Sequence, residues 1–230
     1  MIVGIHQPNF FPWIGYFFKI VKTEKFVFLD NVQFPKTGGS YINRAEIIIG
    51  TKRNWLTVPI VRFHGTWNIN QCVFSDPKWR KKISSSLLVN YIKAPFYSST
   101  HEFIFHLIEF DTDNLADFNI NVIKNICEKL QINCEFHKSS DLNIETEDAT
   151  LRLIEIVNRL NGDTYISGKG GQKYQDDQLF VKNKIKLIYN DFIHPEYPHH
   201  MAQRPEIGLS IIDLIFSVGF EELNNIIHND

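Results

Sequence analysis

Three cysteines in 230 residues are too few and too scattered for a covalent framework. Cys72, Cys127 and Cys134 form no CxxC pair, so neither a disulfide scaffold nor a thiolate zinc site is expected, and a reducing compartment is. No stretch approaches eighteen uninterrupted apolar residues, and the opening Met1-Ile2-Val3-Gly4-Ile5-His6 lacks the basic and long apolar regions of a secretion signal. The expectation is a cytoplasmic protein without membrane insertion. Charge of one sign is not in excess either: 24 Lys and Arg face 26 Asp and Glu, a net of -2. Phosphate-backbone affinity needs concentrated cations, so nucleic acid is not expected as the main partner. The chain also lacks GxxxxGK[ST], GxGxxG after its first strand, and GxSxG. Standard ATP or dinucleotide binding and serine-hydrolase chemistry therefore have no motif behind them, and no cofactor is specified.

What is abundant is aromatic: 19 Phe, 8 Tyr and 4 Trp, more flat amphipathic surface than a minimal core requires. Such a surface suits a pocket or an oligomer interface equally. With 43% hydrophobic and 22% charged residues the chain reads as globular, one domain over 1–230. Residues 2–5 and 26–29 are apolar runs without alternation, the pattern of strands buried on both faces of a parallel sheet. Between them residues 12–21 fit a helix, with Pro12 in its first turn and Asn9 as a cap, completing a β-α-β unit. Residues 46–49 and 55–61 read as strands joined through 50–54, either a hairpin or a strand feeding the sheet. A helical insertion is expected at about 77–131, in at least two pieces broken near Lys93-Ala94-Pro95. Further strands are expected at 134–137, 164–166 and 186–189, and helices at 148–160 (stopped at Gly162), 176–182 and from Ser210 onward. The predicted class is α/β: a mainly parallel, Rossmann-like sheet flanked by helices, with that central insertion.

Open parallel sheets bind ligands beyond the carboxyl ends of their strands. Here four such ends are polar: His6-Gln7-Pro8-Asn9, Asp30-Asn31-Val32-Gln33, Ser167-Gly168-Lys169-Gly170-Gly171 and Asn190-Asp191-Phe192-Ile193-His194. If the strands are parallel, all four share one edge. His6 reads as a general base or a holder of a substrate oxygen, or else as a buried imidazole satisfied by a backbone carbonyl. Asp30 could orient His6 or bind a ribose or amine, or simply shape the turn. The Gly168–Gly171 stretch could cradle a phosphate or carboxylate, and Arg44, near Lys36 and Asn43, could clamp one. The segment His194-Pro195-Glu196-Tyr197-Pro198-His199-His200 lacks HExxH-type spacing, so no metal is assigned to it. Asp213 has the spacing of a capping-box partner for Ser210.

The chain resembles the WbqC-like family of bacterial proteins over nearly its whole length. The matching stretches are Ile5 to Phe17, Phe28 to Phe34, Asn43-Arg44, Trp55 to Pro59, Tyr91 to Pro95, Tyr165 to Gly168, Tyr174, His194 to Pro198 and Leu209 to Leu214. The family pattern carries Gln after the Tyr-Pro pair, where this chain has His199. The resemblance implies O-antigen or surface-polysaccharide synthesis and a glycine-transferase activity. In chemical terms that is acyl or aminoacyl transfer to a nucleotide-linked amino sugar. On that reading His6, Asp30 and His194 are the catalytic candidates. The substrate-binding candidates are Gln7, Asn9, Gln33, Lys36, Asn43, Arg44, Ser167, Gly168, Tyr174 and Tyr197, with Lys36 and Arg44 holding pyrophosphate. The implied partners are small molecules, an amino-sugar nucleotide and an aminoacyl donor. Two other readings stand beside it. One is a nucleotidylyltransferase-like enzyme, although Trp13-Ile14-Gly15-Tyr16 stands where an HxGH motif would fall. The other is a non-catalytic sugar-nucleotide-binding module.

Overall fold

A computed structural model describes residues 1–35, 40–61, 64–173, 175–199, 201 and 206–228. In chain order the elements are β1 (Ile2–His6), α1 (Ile14–Val21), β2 (Lys25–Phe28), β3 (Arg44–Ile49), β4 (Lys52–Thr57), α2 (Trp79–Tyr91), α3 (Tyr97–Ile108), α4 (Leu115–Lys129), β5 (Glu135–Lys138), α5 (Ala149–Arg159), β6 (Thr164–Ser167), α6 (Asp177–Lys182), β7 (Lys186–Tyr189) and α7 (Ile211–His228). Five strands form one sheet in the order β5-β2-β1-β6-β7, and every neighbouring pair is parallel. The fold is therefore α/β with a parallel sheet flanked by helices, as the unbroken apolar runs predict.

Alternation along the strands divides the core. Val3, Ile5 and Val27 pack with Ile154 and Val157 of α5 and Phe180 of α6. Phe26 and Phe28, of opposite parity to Val27, pack with α1, α7 and the insertion helices. Helix α1 is buried from Ile14 to Ile20, so it is apolar on every side, as a helix enclosed by protein must be. Between β4 and β5 the expected helical insertion consists of three helices, α2 to α4, with the break at residues 92–96. Asn114 and Asp148 cap α4 and α5 by accepting from the backbone N–H groups of Asp117 and Leu151. Among the described residues no helix is long and apolar enough to cross a membrane.

Three local expectations need correction. Helix α1 begins at Ile14 after Trp13, which has no side-chain cap, so Pro12 precedes the helix and Asn9 does not cap it. β3 and β4 pair antiparallel from Arg44–Thr57 to Ile49–Lys52, a hairpin closed at Gly50-Thr51 and separate from the main sheet. Its second strand thus starts three residues earlier than the sequence pattern predicts, because Lys52, Arg53 and Asn54 are solvent-facing edge residues without an apolar signature. Helix α5 turns at Asn161, with φ 59°, and Gly162 follows where a Cβ would lie 2.6 Å from Val3 Cγ2. Helix α7 is interrupted at Gly219, whose φ of 79° and ψ of 175° suit glycine alone.

Candidate functional site

The sheet order sets the site. The chain leaves β1 toward β2 on one side, while β6 and β7 lie on the other, so the order reverses between β1 and β6. At such a switch point the outgoing loops diverge and leave a crevice at the carboxyl ends of the strands. A cavity of about 790 Å³ occupies that position. Ile5, His6 and Gln7 from the end of β1 form one wall, and Ser167 to Gly171 after β6 form another. Gly15, Tyr16 and Lys19 of α1 line it too, together with Asn190, Phe192 and His194 after β7. Of the four polar strand ends, three meet here. The volume falls within the range of small-molecule sites.

His6 is half-buried, with Nδ1 3.0 Å from Gln7 O. A carbonyl only accepts, so Nδ1 carries the proton and Nε2 is the acceptor. The ring packs edge-on against Tyr16 and Trp13, at centroid distances of 4.7 and 6.0 Å. Burial, reinforced by the Lys19 charge, pushes the imidazole down to about 3. It is neutral across the physiological range. Tyr16 also donates to Gln7 O, at 3.0 Å, and so fixes the turn that carries both residues.

Lys19 has no signature in the sequence beyond being the lone cation in Ile14-Gly15-Tyr16-Phe17-Phe18-Lys19-Ile20-Val21. It lies on the same helical face as Gly15, one turn on, and is 3% exposed. Its Nζ donates to Ile5 O at 2.6 Å and sits 5.6 Å from the Tyr165 ring centre. Burial brings the ammonium down to about 7.

The loop after β6 is a 3-10 turn over Lys169–Lys173. Gly171 N closes on Gly168 O at 2.9 Å, and open space surrounds the positions where Gly168 and Gly170 would carry a Cβ. Ser167 donates to Gln175 Oε1, Gln175 donates to Tyr189, and Tyr189 donates to Asp177, a chain that anchors the loop to α6 and β7. Asn190 Oδ1 is buried without a hydrogen-bond partner among the described residues. His194 stacks edge-on against Phe192 at 4.7 Å and is shifted down by burial and by the charge of Arg53.

The other expected residues lie elsewhere. Asp30 is 2% exposed and outside the cavity. Its Oδ1 accepts from Ser139 Oγ and Ser140 N, and its Oδ2 from Ser140 Oγ, so it ties β2 to the turn after β5 rather than orienting His6. Asn9 is buried away from the lining. Gln33 is exposed in a bridge to Asn68. Asn43 donates to Val58 O at 3.1 Å and braces the hairpin. The Arg44 guanidinium lies on the Trp55 ring at 3.9 Å, which holds it away from the cavity. Lys36 and Tyr174 lie outside the described residues.

Tyr197 belongs to a second buried cluster, centred on Asp213. Tyr197 donates to Asp213 Oδ1 at 2.8 Å, Tyr91 to Oδ2 at 2.6 Å, and His199 Nε2 lies 2.7 Å from Oδ2. His199 Nδ1 accepts from Met201 N at 3.0 Å, so the Nε2 proton faces the carboxylate. The capping-box expectation for Asp213 therefore fails: Ser210 N, which the box would satisfy, donates to Glu46 O instead. The histidines of this segment also diverge. His194 lines the cavity and His199 is committed to Asp213, while His200 lies outside the described residues.

Similarity to known proteins covers most of this arrangement. A match to the WbqC-like protein family runs over residues 7–225, from Gln7 in the cavity wall to Asn225 in α7. The chain belongs to the WbqC-like family. A relative, the uncharacterized protein Rv1507c of Mycobacterium tuberculosis (strain ATCC 25618 / H37Rv), is 27% identical over 223 residues, covering 95% of this chain and 94% of the relative. No solved structure matches the chain.

Proposed function

We propose that this WbqC-like protein transfers an acyl or aminoacyl group, glycyl foremost, to the amine of a nucleotide-linked sugar used in O-antigen or surface-polysaccharide synthesis. The supporting observation is a neutral imidazole, His6, facing a cavity walled on its other side by a glycine-rich loop at the switch point of the sheet. In the reaction the sugar amine attacks the acyl carbonyl carbon, forming the C–N bond and a tetrahedral oxyanion. His6 Nε2 takes the amine proton. Loop amides at 168–170 donate to the oxyanion, since Gly171 N is already turned onto Gly168 O. Collapse of the intermediate breaks the bond to the donor's leaving group, which departs with the proton from His6. Ser167 and His194 contact the substrate from the opposite rim.

The test is N-acylation of a uridine-diphosphate amino sugar with an activated glycyl donor, followed by mass spectrometry. His6→Ala is expected to lower turnover by about 10²- to 10⁴-fold, the usual worth of a general base. Added imidazole should restore part of it. Unchanged turnover in His6→Ala removes the base role. Formation of pyrophosphate from a nucleoside triphosphate, with no acyl transfer, would favour the nucleotidylyltransferase reading instead.

A further inference from the structure

The cavity has a charge imbalance that the transfer chemistry does not explain. Its described lining includes Lys19 and Lys169 but no Asp or Glu, in a chain whose acidic residues outnumber its basic ones. Lys19 is the extreme case. An ammonium has three donors, and at 3% exposure this one spends a single donor, on Ile5 O, and has no carboxylate partner among the described residues. The groups around it are His6 from β1, Tyr165 from β6 and Tyr16 from its own helix, with Lys169 and His194 at the rim, and none is acidic. A buried cation without a counterion is costly, and proteins retain one where a ligand supplies the missing charge. Across the cavity, glycines 168 and 170 leave their backbone uncovered by side chains, the condition for close approach to an oxyanion.

We infer that Lys19 is the anchor for a phosphoryl group of the ligand, held between its ammonium and the Gly168–Gly170 loop, with Lys169 as a second cation at the entrance. This rests on the acyl-transfer reading only in naming the ligand as a nucleotide-linked one; the anion site itself stands on the lining. A phosphoryl group is favoured over a carboxylate because two lysines and a glycine loop match a group of more than one negative charge. Arg44, the sequence-based candidate for this role, is stacked on Trp55 and does not reach.

Lys19 titrates at about 7 in the free protein, so at pH 8 it is largely neutral, and binding a phosphoryl group should charge it. Isothermal titration with uridine diphosphate at pH 8, without divalent metal and in buffers of different ionisation enthalpy, is expected to show uptake approaching one proton per site. Lys19→Met should weaken binding between ten- and a hundredfold and abolish the uptake. The thermal midpoint of each variant confirms that it is folded. Binding unaffected by Lys19→Met, or Lys19-dependent binding of N-acetylglycine where uridine diphosphate and inorganic phosphate do not bind, overturns the inference. Failure of acyl transfer with Lys19-dependent nucleotide binding intact would instead defeat the catalytic reading and leave the anion site standing.

Discussion

Replacing Lys19 with Met stabilises the folded protein near neutral pH. The ammonium falls from about 10.5 in the unfolded chain to about 7 when folded, so between these values the unfolded state binds the extra proton. Folding is then penalised in full below about 7 and not at all above about 10.5, and the wild-type protein gains stability as pH rises through that window. At 1.36 kcal/mol per unit the penalty is on the order of 5 kcal/mol. Loss of the bond to Ile5 O offsets part of it, leaving a gain of about 2–3 kcal/mol. Urea unfolding of wild type and Lys19→Met at pH 6.5 and pH 10 checks this: the difference should be large at the lower pH and should shrink at the higher. A variant that is less stable at pH 6.5 would mean that the lysine has an anionic partner in the free protein. A residue that destabilises the fold while facing a cavity is placed there by something other than folding.

Asp213→Ala is expected to cost about 3–5 kcal/mol, the largest single loss among the clusters described, because it removes an acceptor shared by three buried side chains. Tyr91, Tyr197 and His199 would lose their common acceptor in a site closed to water. Both tyrosine hydroxyls are already held above their ordinary range by burial and the neighbouring carboxylate, so neither can adapt by ionising. Asp213→Asn retains one acceptor oxygen and should cost less. Chemical denaturation of the two variants gives the comparison, and near-wild-type stability in Asp213→Ala would show that the cluster does not hold the fold. The cluster also bears on the site. It fastens α7 and α2 to the segment after β7 that carries Asn190 and His194, so a loosened Asp213 variant should lose ligand affinity as well as stability.

How far these features can be read without coordinates depends on what kind of signal each leaves. Apolar runs ending in polar segments mark β1, β6 and β7, because strand bodies packed under helices are apolar until they reach the edge. Parallel pairing puts these ends on one edge, and the strand order brings His6, Gln7, Ser167, Gly168 and His194 to one cavity. Asp30 ends a strand in the same way but sits beside β5, separated from the switch point by β1, where Ser139 and Ser140 take up its carboxylate. Strand-end polarity says which edge a residue occupies and not where along it. Lys19 is hidden by its surroundings, since one cation in an aromatic helix reads as a solvated position until the helix proves buried on every side. Asp213 is hidden by a local pattern that explains it too easily: the Ser-x-x-Asp spacing fits a cap, but the long-range acceptor Glu46 O takes the N–H that the cap needs. Arg44 was drawn to a ligand by its chemistry and held by Trp55, a cross-strand neighbourhood set by hairpin register.

Hydrogen–deuterium exchange with and without a uridine-diphosphate amino sugar tests the placement of the site most directly. Protection is expected at residues 5–8, 15–19 and 167–171, the walls of the cavity between β1 and β6. Protection confined to the shallower groove between α4 and β5, around Asn121, Lys124 and Phe136, with no change at those three stretches, would contradict it.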